Sequence, residues 1–181
     1  MGSRRWLIAL LIVIGLFTIN YVVGWSKANS LAATYFRDAE AALAQGDYLN
    51  ALVGFKDYDA ARNRYIQRGG YLQVEHIWGH PNAWPRPPVY EQARARIQEI
   101  ISQHMTLALA EAFVQANIGK SNPYLGDVYL RLGELYEVDG DPRSAIEIYR
   151  EIAKLFPDRP DLIDRANDHL ARLDAQPSSP H

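Results

Sequence analysis

The chain has 181 residues, with 19 Lys or Arg against 21 Asp or Glu and a formal net charge of −2. Charges of both signs are interspersed and no basic cluster follows the first five residues, which excludes the electrostatic footprint of a nucleic-acid binder. Cysteine is absent, so no disulfide supports the fold and the redox compartment stays open.

The first element is apolar. Trp6 to Trp25 reads WLIALLIVIGLFTINYVVGW, without charge and with only Thr18 and Asn20 clearly polar. As a helix it rises ~30 Å, the hydrocarbon thickness of a bilayer. Its Leu, Ile, Val and Phe residues contribute on the order of −4 to −7 kcal/mol towards insertion. Trp6 at one end, with Tyr21 and Trp25 at the other, fits the aromatic belts of the two interfaces. A cleavable signal peptide is the rival reading, with Arg4 and Arg5 as a basic n-region and small residues at Ala28, Ala32 and Ala33. The run exceeds the ~7–15 apolar residues of a signal core, which favours a single uncleaved anchor over residues 6–25. Arg4 and Arg5 outweigh Lys27, so the amino terminus is expected in the cytoplasm and the rest outside it: periplasm or cell surface in a bacterium.

About 155 residues remain, enough for one domain or a short repeat array. Asn29 or Ser30 is expected to cap a helix running to about Gln45, and Gly46-Asp47 to turn it into a second helix ending near Arg64. Residues 65–88 follow as an expected loop. Gly69-Gly70 breaks the chain, and Pro81, Pro85, Pro87 and Pro88 oppose regular helix. A loop this long in a compact domain is usually functional or covered. Trp78 and Trp84 either fold back onto the helices or face a partner or a bilayer surface. The segment from Tyr71 to Val89, with Tyr71, Trp78 and Trp84 as its anchors, is expected to make the main partner contact. His76 and His80 stand at i and i+4, a weak metal-ligand pattern, because only His104 and His169 remain to complete a ligand set within the folded part. No metal or cofactor is therefore expected, and phosphate loops, a nucleophile elbow and paired-carboxylate motifs are missing.

Val89 to Ile118 carries apolar residues at helical spacing and is expected to form one long helix, or two broken near Gln103. Gly119 to Pro123 closes it. Between Tyr129 and Pro157, residues Tyr129, Leu132-Gly133, Tyr136, Ala145, Tyr149 and Pro157 stand at fixed spacings around a Gly140-Asp141-Pro142 turn. This pattern resembles the tetratricopeptide repeat (TPR) family, and residues 124–157 match one repeat well. Ile152 departs from it, standing where the family usually has Ala. Gly133 and Ala145 would let two antiparallel helices approach, with the tyrosines filling the space beside them. Residues 33–62 resemble the family more weakly: Tyr35, Ala51 and Phe55 align with Tyr129, Ala145 and Tyr149, but Asp38-Ala39 replaces Leu132-Gly133. A capping helix is expected within 158–175, and a disordered tail over 176–181.

The expected fold is all-α: one membrane helix, a TPR-like array of about six helices and a Pro/Trp-rich loop. The resemblance implies a protein-binding surface without catalysis. Its groove would be lined by Asp127, Leu130, Glu134, Glu137 and Val138 in the good repeat, and by Ala33, Phe36, Glu40, Leu43 and Ala44 in the weak one. The Lys, Asn and Arg that clamp carboxylates in chaperone-tail binders of the family are not there. Three readings follow. The first is a membrane-anchored scaffold, an accessory or assembly subunit of an integral membrane protein complex. The second is a translocon-associated helper for exported proteins, and the third a metal or cofactor protein using His76 and His80.

Overall fold

Between Gly2 and Ala44 nothing in the sequence stops a helix. A computed structural model describes residues 2–175, and its first element, α1 (Gly2–Ala44), runs unbroken for 43 residues, about 65 Å at the helical rise. The restart expected at Asn29 or Ser30 does not occur. Helical carbonyls already lie upstream, so neither side chain faces orphan amides to cap. Among the described residues α1 alone is long and apolar enough to cross a membrane, and its most apolar stretch is entirely unburied. Thr18 and Asn20 each return a donor to the carbonyls of Ile14 and Leu16 at 2.8 and 2.9 Å, which lowers the cost of holding them in hydrocarbon. The side chains of the basic stretch 1–5 and the tail 176–181 lie outside the described residues.

The chain divides into two compact units, residues 1–97 and 98–181. In the first, Gly46 (φ 74°) turns α1 into α2 (Tyr48–Val53), whose amide at Asn50 is capped by Asp47. The helix expected to reach Arg64 ends here. Gly54, at φ 66°, leads into β1 (Phe55–Asp59), which pairs antiparallel with β2 (Arg64–Arg68), Phe55 opposite Arg68. Local chemistry favours the hairpin. Lys56 and Tyr58 alternate with half-buried neighbours, Asp59 accepts from the amides of Ala61 and Arg62, and Asn63 takes φ 50° in the turn. The fold is thus mostly helical rather than wholly so.

Part of the expected loop is also ordered. Residues Tyr71–Trp78 form α3, because the prolines that oppose helix begin only at Pro81. After an irregular stretch, α4 (Pro88–Glu99) starts with proline in its first turn, where no amide is needed. Helices α1, α2 and α3 pack together over a core that includes Ala32, Ala39, Leu52, Tyr71 and Val74.

The second unit begins in a π-helical turn, Ile100–His104, followed by an extended Met105 and by α5 (Leu107–Asn117), capped by Thr106. Residues 89–118 therefore form two helices, parted at Met105-Thr106. Helices α6 (Leu125–Asp139), α7 (Pro142–Leu155) and α8 (Pro160–Asp174) complete the unit. Gly140 takes φ 84° and Asp141 caps α7 through the Ser144 amide, so α6 and α7 fold back on one another. A Cβ on Gly133 would lie 2.5 Å from the Tyr149 ring, so the two helices meet where that side chain is missing. Ile152 is fully buried, as are Val128, Leu130 and Leu162 of the same unit.

Candidate functional site

Burial along α1 starts where the apolar run ends. Trp25 is its first half-buried aromatic, and its indole N–H donates to the Pro85 carbonyl at 2.8 Å. Its ring lies 5.8 Å from that of Trp78. The 79–87 segment is thereby held beside the last residue of the apolar run. Arg86 fastens it further, donating to the Trp78 carbonyl at 3.1 Å with its guanidinium 5.0 Å from the Tyr90 ring centre. The Trp84-Pro85 peptide is cis.

The three expected anchors of this segment part company. Tyr71 is fully buried, its ring 5.5 Å from Phe36 and its hydroxyl donating to Glu40 at 2.6 Å. Trp78 is 3 % exposed, with its indole nitrogen buried and unpartnered. Only Trp84, 75 % exposed, is open to a partner. Of the two readings open for the tryptophans, Trp78 folds back and Trp84 does not: α3 presents Tyr71, Val74 and Trp78 to the core at helical spacing. No local sequence signal marks Trp25 as the partner of this segment, since an aromatic-belt position explains a Trp there equally well.

Three glycines make the neck of the hairpin. A Cβ on Gly69 would strike the Tyr35 ring, one on Gly70 the backbone of Gly54 and Leu52, and one on Gly54 the Arg68 carbonyl at 2.5 Å. Asp38, which breaks the repeat pattern, binds this neck: it accepts from the Gly69 amide at 3.1 Å and faces Arg68 at 3.6 Å.

The expected groove residues of α6 are engaged inside the second unit. Asp127 pairs with Arg159 at 3.3 Å, and Glu134 with Arg131 and Arg165 at 2.9 and 3.1 Å. Glu137 accepts from Tyr149 and contacts His169 Nδ1, while Leu130 is buried. Val138 alone of this set is exposed. Arg159, Arg165 and His169 lie at or on α8, which thus covers the face read as a groove. Burial first, then Glu137, pushes the Tyr149 hydroxyl well above its usual range, so it stays a donor. Tyr136, hydrogen-bonded to Glu111 of α5, is pushed up to about 12. In the first unit Glu40 is similarly taken, accepting from Tyr71 and pairing with Arg96 at 2.9 Å.

His76 and His80 are both exposed, and His80 Nδ1 accepts from the Asn82 amide at 3.2 Å. Among the described residues no group of three His, Asp or Glu side chains is placed to hold a metal ion. An apolar cleft of about 380 Å³ opens in the second unit, lined by Ile118, Pro123, Leu125, Tyr129, Leu155 and Phe156. Ile118 and Leu155 are exposed on it. No family model, curated protein or solved structure matches the chain.

Proposed function

We propose that this chain is a non-catalytic, membrane-anchored scaffold of TPR-like helices, an accessory or assembly subunit of an integral membrane protein complex, with its helical units outside the cytoplasm. The observation that carries the reading is the continuity of α1. The apolar run that would lie in the bilayer passes without a linker into residues that pack against α2 and α3. A flexibly tethered domain would sample a large volume, whereas a rigid extension of the span holds its surface at a fixed height and orientation, which suits a subunit that must meet a membrane-embedded partner. The TPR-like assignment is supported by Gly133 packed under Tyr149, by the left-handed Gly140 and by Asp141 at the start of α7.

Purification from native membranes in mild detergent is the direct test. A subunit copurifies in fixed stoichiometry with an integral membrane complex, and photo-crosslinkers at Leu155 or Val138 capture a member of it. A substoichiometric and changing set of exported proteins would instead favour the helper reading. For topology, Arg4 and Arg5 before the span set the orientation, so protease added to intact spheroplasts should digest residues beyond Ser26. Full protection would reverse the orientation, and a mature amino terminus near Ala28 to Ala33 would remove the anchor.

A further inference from the structure

The 79–87 segment is tied to α1 at one place, and that place fixes its height. An apolar run from Trp6 that fills ~30 Å of hydrocarbon ends at Trp25, the residue whose indole holds the Pro85 carbonyl. Next to Pro85 stands Trp84, three-quarters exposed, whereas Trp78 is buried and Trp25 half-buried with their rings 5.8 Å apart. Trp is the side chain most at home where hydrocarbon meets headgroups, since its ring is apolar and its N–H seeks a polar partner. The nearby turn carries Pro81, Pro85, Pro87 and Pro88, so it is stiff and holds Trp84 out without a helix or strand to support it.

We propose that this segment is a second membrane contact: Trp84 lies in the headgroup layer of the bilayer that α1 crosses. The proposal rests on reading α1 as a span. A bilayer is favoured over a protein as the occupant because the segment is hydrogen-bonded to the residue at the end of that span. In this position Trp84 acts as a stop. It resists both piston movement of α1 and tilting of the first unit, because either motion would draw the indole into hydrocarbon or into water.

The cysteine-free chain allows single labels to be placed on the full-length protein. Spin labels at Trp84→Cys, Ile14→Cys and Tyr65→Cys would be read by oxygen and water-soluble nickel accessibility after reconstitution into phosphatidylcholine vesicles, with no other protein present. The expected order is deep for 14, within ~5–10 Å of the headgroup boundary for 84, and fully aqueous for 65, exposed beside the hairpin turn at the start of β2. Vesicles with brominated acyl chains add a readout that keeps the native side chain: the wild-type emission lost in Trp84→Ala should be quenched. A label at 84 as water-exposed as at 65, with 14 still deep, would overturn the proposal and leave the anchor intact. If position 14 is aqueous too, the anchor reading itself fails. Protection of position 84 in native membranes but not in pure lipid would overturn the bilayer contact in favour of a protein partner.

Discussion

Two Gly-Asp turns in this chain begin alike and end differently. At Gly46-Asp47 and at Gly140-Asp141 a left-handed glycine closes one helix, and an aspartate caps the next through the amide three residues on. Beyond the first turn, α2 lasts 6 residues; beyond the second, α7 lasts 14. The difference comes eight residues after each glycine. The second copy has Ile148 there and the helix goes on; the first has Gly54, whose positive φ sends the chain into a hairpin. The faces opposite the turns nevertheless keep one logic. Glu40 and Glu134 both stand six residues before their glycine, and arginines hold both: Arg96 in one unit, Arg131 and Arg165 in the other. A shared turn fixes how two helices meet. It does not fix how far the second one runs.

The sharpest way to break this comparison is to give Gly54 the residue of its counterpart. Gly54→Ile should not lengthen α2. A β-branched side chain at that φ strains the backbone by ~1–2 kcal/mol, and its Cβ would meet the Arg68 carbonyl, adding ~1–3 kcal/mol of overpacking. Urea unfolding in mild detergent, followed by far-UV circular dichroism, should then move to lower denaturant by the equivalent of about 4 kcal/mol. A variant with wild-type stability and more helix would mean that pairing across the hairpin, and not Gly54, ends α2.

Next in size are two changes in the second unit. Ile152 occupies a place where the resembling family usually has Ala, and here it is fully buried. Ile152→Ala should cost roughly 2–5 kcal/mol by opening a cavity. Gly133→Leu should cost about 1–3 kcal/mol by driving a side chain into the Tyr149 ring. Both are read by the same unfolding assay. An Ile152→Ala protein as stable as wild type would show that this core collapses around the cavity, and a tolerated Gly133→Leu would show that α6 and α7 do not meet at Gly133.

How much of this was legible follows from the kind of signal each region carries. Helices α6, α7 and α8 are readable because large and small residues recur there at helical spacing and Gly140, Asp141, Pro142 and Pro160 mark boundaries. The hairpin was masked. Ala51 and Phe55 fall in register with the later repeat, which favours helix through a stretch where Gly54, the Asp59 turn and the alternation of residues 55–59 argue otherwise. Helix α3 was hidden by its neighbours, because the prolines beyond it coloured the reading of residues that contain none. Trp78 and Trp84 were read as a pair from composition alone. Only a contact distant in sequence, that of Trp25 with Trp78 and Pro85, separates them, and no local pattern announces it. The α6 positions expected to line a groove offer no local sign of their partners, since Arg159, Arg165 and His169, at the start of α8 or along it, pair with Asp127, Glu134 and Glu137.

The smallest expected effect concerns the turn that the two regions share. Asp141 accepts from the Ser144 hydroxyl and amide, and these bonds hold its carboxyl below the ordinary value of 3.8. A group whose folded pKa is depressed contributes stability that is fully present above its unfolded value and lost as pH falls through the folded one. Wild type and Asp141→Ala should therefore differ by a constant small amount from neutrality down to about pH 5, and converge as the pH drops below 3.8. The change should stay local, because α7 keeps Pro142 in its first turn and an apolar face against α6 and α8. Asp47→Ala makes the matching test in the first unit. Its short α2 has no proline at its start and only two fully covered residues, Ala51 and Leu52, so hydrogen exchange at Leu52 and Val53 should rise more than at the equivalent Ile146 and Glu147 in Asp141→Ala. Equal exchange in the two variants would mean that packing holds both helices to the same degree, and that a helix of 6 residues here is no more dependent on its cap than one of 14.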